Sequence, residues 1–154
     1  MAKIDWIILC ERAIVELQAN TISLVALLEN VTMPAPTPEM SRDGKQIGVP
    51  FRFYVVQQWI RTKAKIGERI PARLILKGPN KKQLITAEFN VDLTSAPKAR
   101  VITQSLGFPL AGAGPYKCVV EAKQGSSWRT LREAEFNVVF LPSIGSTPKA
   151  PTRH

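Results

Sequence analysis

The chain has 154 residues, 45% of them apolar and 21% charged, and its 21 Lys and Arg against 12 Asp and Glu give a formal net charge of +9. This length suits one domain burying roughly two-thirds of its unfolded surface, and the apolar share excludes a disordered chain. No uninterrupted apolar run reaches the roughly eighteen residues that a membrane-crossing helix needs.

In chain order, the run Ile4-Asp5-Trp6-Ile7-Ile8-Leu9-Cys10 is apolar on both alternating faces, the pattern of a strand covered on each side, and it continues to Val15. Ile7, Cys10, Ile14 and Leu17 also fit a helical stripe with Asp5 as N-cap, but isoleucine, valine and tryptophan favour strand. Gln18-Ala19-Asn20 turns the chain into a second extended run, Thr21 to Val31. The first thirty residues therefore read as a hairpin of two long strands, with a helical hairpin as the rival. Met33 to Pro50 holds Pro34, Pro36, Pro38 and Pro50 around the turn pair Asp43-Gly44, and reads as a long irregular loop of the kind used for binding.

From Phe51 the alternation is clean. Phe51, Phe53, Val55 and Trp59 share a face; Ile70, Ala72, Leu74 and Leu76 oppose Arg69, Arg73 and Lys77; Ile85, Ala87, Phe89, Val91 and Leu93 oppose Thr86, Glu88, Asn90 and Asp92. Period two with one polar face predicts antiparallel strands that are wet on one side. Gly78-Pro79-Asn80 with Lys81 and Lys82 forms a hairpin loop. A strand from Ala99 to Leu106 follows, then a Gly-rich loop from Gly107 to Gly114, a strand from Tyr116 to Ala122 and a turn at Gln124 to Ser127. The last strand, Trp128 to Phe140, sets Trp128, Thr130, Ala134, Phe136, Val138 and Phe140 on one face. About eight strands without an internal repeat predict an all-β fold, an antiparallel two-sheet β-sandwich over residues 1–141. Residues 142–154, rich in Pro, Ser, Thr and basic residues, read as a disordered tail.

The charge is local. Residues 1–60 hold five basic against six acidic residues, residues 61–82 eight against one, and residues 83–154 eight against five. The concentrated block is Arg61, Lys63, Lys65, Arg69, Arg73, Lys77, Lys81 and Lys82, relieved only by Glu68. Arg69, Arg73 and Lys77 share one parity of a strand, in steps of about 13 Å. The other five extend the row at either end, so the block draws a positive stripe along one hairpin. Three uses fit it: a solvated face that guards a strand against edge pairing, a contact for an acidic protein, or a seat for the nucleic-acid backbone. Aromatic side chains that would stack bases are sparse beside it.

The chemistry of catalysis is poorly supplied. The only histidine, His154, is the last residue of the sequence, and no local motif sets another base beside a serine, threonine or cysteine. Cys10 and Cys118, far apart, do not form a zinc cluster; Glu39 and Asp43 alone do not form a calcium loop; the Gly-rich loop lacks the Lys-Ser/Thr of a phosphate cradle. No metal and no cofactor is expected. An N-terminus without a secretory pattern, together with only two cysteines, predicts a cytoplasmic protein with free thiols.

Gly112-Ala113-Gly114-Pro115-Tyr116-Lys117-Cys118 resembles the Asp-x-Gly-x-Tyr-x-Cys corner of immunoglobulin domains, with Gly112 in place of the aspartate. The resemblance implies that the Tyr116 hydroxyl ties its strand back to the preceding corner. It implies no disulfide, because Cys10 lies too far upstream. Leu9-Cys10-Glu11-Arg12-Ala13 and Asn20-Thr21-Ile22-Ser23-Leu24-Val25 are similar to the opening hairpin of an uncharacterised family of small bacterial β-sandwich proteins. That likeness would cover residues 4–140 and brings a fold expectation without an activity. The expected function is a non-enzymatic protein-interaction or assembly module, meeting an acidic protein surface or self-associating through strand edges. The alternative is a sequence-independent nucleic-acid-binding domain that uses the basic 61–82 hairpin.

Overall fold

A computed structural model describes residues 2–41, 46–63 and 66–142. The predicted turn at Asp43-Gly44 and the predicted tail from residue 143 onward lie outside the described residues. Among the described residues there are eleven strands: β1 (Ala2–Glu16), β2 (Thr21–Leu27), β3 (Asn30–Pro34), β4 (Gly48–Val49), β5 (Phe53–Arg61), β6 (Arg69–Lys77), β7 (Gln83–Asp92), β8 (Lys98–Ser105), β9 (Phe108–Pro109), β10 (Gly114–Gln124) and β11 (Ser127–Leu141). One four-residue helical turn, Pro38–Ser41, interrupts them. The fold is all-β, with an antiparallel four-stranded sheet, order β2-β1-β5-β8, and a mixed five-stranded sheet, order β3-β11-β10-β6-β7. A short β4-β9 pair lies beside them.

Ala2–Glu16 and Thr21–Leu27 are strands, which settles the strand-or-helix ambiguity, but the second run does not continue to Val31. It splits. Ala26 adopts a left-handed φ of 55°, and the chain then changes sheets within two residues: the Leu28 N–H donates to the Leu9 carbonyl at 2.9 Å, while the Glu29 carbonyl accepts from the Asn137 N–H at 2.8 Å. Beyond this crossing β3 runs parallel to β11, so the sheets are not purely antiparallel as expected. The Pro-rich stretch is likewise more ordered than predicted, holding the end of β3, the helical turn and β4. These pieces raise the strand number above the expected eight.

The alternation read from Phe51 onward turns one face of each strand into a shared core. Phe53, Val55 and Trp59 from β5, Ala72, Leu74 and Leu76 from β6, and Tyr116, Cys118 and Val120 from β10 are buried together with Phe136 and Val138 from β11. Phe53, Phe108, Tyr116 and Phe136 form an aromatic cluster with ring centroids 5.2–6.2 Å apart. The buried Gln57 shares this side; its Oε1 accepts from Trp59 Nε1 at 3.0 Å.

One parity assignment fails. The β10-β11 register shifts between Val120, opposite Arg132, and Glu121, opposite Thr130, leaving Leu131 as the extra residue of a bulge. Ala134, Phe136 and Val138 keep the inner side as predicted. Below the bulge every side chain changes face, so Trp128 and Thr130 reach the outer surface beside Arg73 and Glu121.

Candidate functional site

The predicted basic residues divide by what holds them. Arg61 closes β5 rather than standing in a loop, and its Nη1 donates to the Leu93 carbonyl at 3.0 Å. Arg69 pairs with Asp92 at 2.9 Å. Asp92 also accepts from the Thr94 hydroxyl and N–H, and these bonds, with Arg69, hold its carboxyl below the usual range. Arg73 pairs with Glu121 at 2.6 Å and lies 4.4 Å from the centre of the Trp128 ring. Lys77 is half-buried opposite Lys117, whose ammonium bonds Glu133 at 3.3 Å. Lys63, Lys81 and Lys82 are exposed, and Lys65 lies outside the described residues.

The outer face of the five-stranded sheet is therefore a lattice of ion pairs. Ile75 and Val119, facing each other on that side, are buried between the Arg73–Glu121 and Lys117–Glu133 pairs, and long charged side chains can cover such apolar spots with their stems. The exposed Arg69–Asp92 and Lys117–Glu133 pairs contribute little stability, but with the partly buried Arg73–Glu121 pair they occupy cationic groups that an outside anion would need.

The four-stranded sheet presents the opposite surface. Its register puts Trp6, Ile8, Cys10 and Ile14 of β1, Val25 and Leu27 of β2, Tyr54, Val56 and Ile60 of β5, and Ile102 of β8 on the side away from the core. Four of these are open to solvent: Ile14 at 57%, Val25 at 43%, Leu27 at 63% and Ile102 at 37%. The charged side chains on the same face are Lys3, Arg12, Lys98 and Arg100, all basic, with Glu16 at the distal end of β1. Arg100 makes no ion pair among the described residues, and its Nε is buried without a partner. An apolar surface with a basic rim is unusual for a sheet face turned away from the core. The double-sided apolar pattern of Ile4 to Cys10 predicted cover on both sides, and on the outer side of that stretch Cys10 and the adjacent Val56 are buried while Trp6 and Ile8 are half-buried; the exposed apolar side chains of this face lie within residues 11–27 and on β8.

The same hairpin extends past the sheet. The β1-β5 ladder ends at Cys10 opposite Tyr54, whereas β1 goes on to Glu16 paired only with β2. Residues 11–27 thus form a two-stranded arm whose tip carries the exposed Leu17.

One concavity, of about 470 Å³, is lined by Gln46 to Pro50 with Gly107, Phe108 and Pro109, without an acid or base. A cavity of about 90 Å³ between β5, β6, β7 and β8 is apolar apart from Thr103, Gln104 and Ser105, and reaches Cys118. Both cysteines are free and buried; burial pushes the Cys118 thiol up to about 12 and also raises that of Cys10. Among the described residues no three His, Cys, Asp or Glu side chains cluster as metal ligands, and no helix is long and apolar enough to cross a membrane. Compared with known proteins, the chain matches no family model, and no curated protein is significantly similar to it.

Proposed function

We propose that the chain is an immunoglobulin-like β-sandwich that acts without catalysis as a protein-interaction and assembly module of the cytoplasm. The sandwich reading is supported by two sheets sharing one apolar cluster, by the order β1-β5-β8 against β3-β11-β10-β6-β7, and by the Tyr116 hydroxyl, which accepts from the Ala111 N–H at 2.7 Å and donates to the Gly112 carbonyl at 3.0 Å. Two buried free thiols favour a reducing compartment. The observation that carries the function is the apolar outer face of the four-stranded sheet with its basic rim. It fits a protein that offers an apolar patch edged by carboxylates, because desolvated apolar contact supplies affinity and the rim charges supply orientation.

The basic 61–82 hairpin has weaker support as a nucleic-acid seat, since Arg61, Arg69 and Arg73 already hold partners within the chain. The test is site-specific photo-cross-linking in the native cell, from Ile102 on the apolar face and from Lys81 on the hairpin. Discrete protein adducts from position 102 and none from position 81 support the interface. Nucleic-acid adducts from position 81, with position 102 silent, overturn it in favour of polyanion binding.

A further inference from the structure

Among the described residues the open edges of the two sheets are β2 and β8 on one, β3 and β7 on the other. An edge strand shows a row of unpaired N–H and C=O groups, and proteins ordinarily guard it with charge, proline or brevity. β8 carries Lys98 and Arg100, β7 carries Glu88 and Asp92, and β3 has five residues ending at Pro34. β2, Thr21-Ile22-Ser23-Leu24-Val25-Ala26-Leu27, has no charged residue, no proline and no glycine. It also belongs to the arm that has left the rest of its sheet, and two strands alone are marginal in water.

Charge selects the occupant of this edge. The molecule carries +9 overall, and its apolar face is rimmed by Lys3, Arg12, Lys98 and Arg100, so two copies meeting face to face bring like charges together. β2 is neutral along its whole length, and the rest of the arm contributes Glu11, Arg12 and Glu16, a small negative balance. We infer that the outer edge of β2 pairs antiparallel with β2 of a second copy about a two-fold axis near Leu24. The inference rests on the assembly reading above and names a partner for the edge that the face does not supply.

An isologous contact uses the same strand twice and closes on itself. The two four-stranded sheets become one sheet of eight, ending at each side in β8, where Lys98 and Arg100 oppose further addition. Leu24 then faces its own copy and Ile22 faces Ala26 on the side continuous with the core, and on the outer side Val25 faces Ser23, with the second Val25 diagonally across. The arm acquires the third and fourth strands that it lacks alone. The two apolar faces come to lie on one continuous surface, so the dimer doubles the docking area without blocking it.

The experiment is sedimentation equilibrium of the full chain across a concentration series, with Ser23→Lys, Ser23→Glu and their equimolar mixture. Ser23 is exposed, and near the axis the two copies of position 23 sit diagonally across the new pair, within reach of long side chains. The expected result is a wild-type dimer, monomers for each variant alone, and a restored dimer on mixing, with unchanged circular dichroism for both variants and, at concentrations low enough for the wild type to be monomeric, unchanged melting. A wild type that stays monomeric throughout, or a dimer indifferent to both substitutions, overturns the inference. If the dimer is absent while the Ile102 cross-links persist, the interface reading stands and the second copy falls; a dimer without those cross-links separates the two in the opposite sense.

Discussion

At the scale of single residues, Tyr116 links sequence to fold most directly. Its ring is fully buried in the aromatic cluster while its hydroxyl closes two backbone bonds across the corner that precedes β10. Gly114 stands at the start of the same strand with a φ of +123°, a conformation that disfavours a side chain, and an added Cβ would stand 3.2 Å from Pro79 Cβ. Tyr116→Phe keeps the ring and leaves the part-buried Ala111 N–H without its acceptor, so it is predicted to cost about 1 kcal/mol, the typical net worth of a hydrogen bond. Urea denaturation with an unchanged m-value checks this, and a change within error would remove the tie as a source of stability. Gly-x-Tyr-x-Cys was legible because three residue types at fixed offsets imply one geometry. The ion pairs of Arg69 and Arg73 were not, because their partners, Asp92 and Glu121, are brought opposite only by the register of neighbouring strands.

At the scale of elements, the strands with one polar face were readable and the exceptions share a cause. Period two assumes that every residue advances the chain by one pleat, and a bulge breaks that assumption without a compositional mark. Leu131 is such a residue, and it carries Trp128 out of the core onto Arg73. Trp128→Ala is therefore predicted to cost about 1–2 kcal/mol, mostly the lost cation–π contact and partial burial, instead of the roughly 3–5 kcal/mol of a core aromatic. The same denaturation measurement decides between the two, and a core-sized loss would contradict the outward placement. The arm was half legible. Its strands and turn stood out in Ile4 to Val31, but its length beyond β5 depends on where Phe53 begins its ladder, a long-range pairing that no local pattern records. The crossing at Leu28-Glu29 was hidden for a similar reason, since apolar residues continue on both sides of it.

At the scale of the whole molecule, charge and hydrophobicity sit on different outer faces. The five-stranded sheet turns out a lattice of paired ions, and the four-stranded sheet turns out side chains that water does not favour, inside a basic rim. The strongest compositional signal, eight basic residues in 61–82, led toward the first face, although the fold engages its guanidiniums internally. The functional claim rests on the second face and on the unguarded strand beside it. Hydrogen–deuterium exchange of the intact chain at rising protein concentration tests that claim most directly. The account predicts that amides of residues 21–27 slow as concentration rises while those of residues 69–82 do not change. Exchange in 21–27 that is independent of concentration, with protection appearing at 69–82 on adding a DNA oligonucleotide, would contradict it.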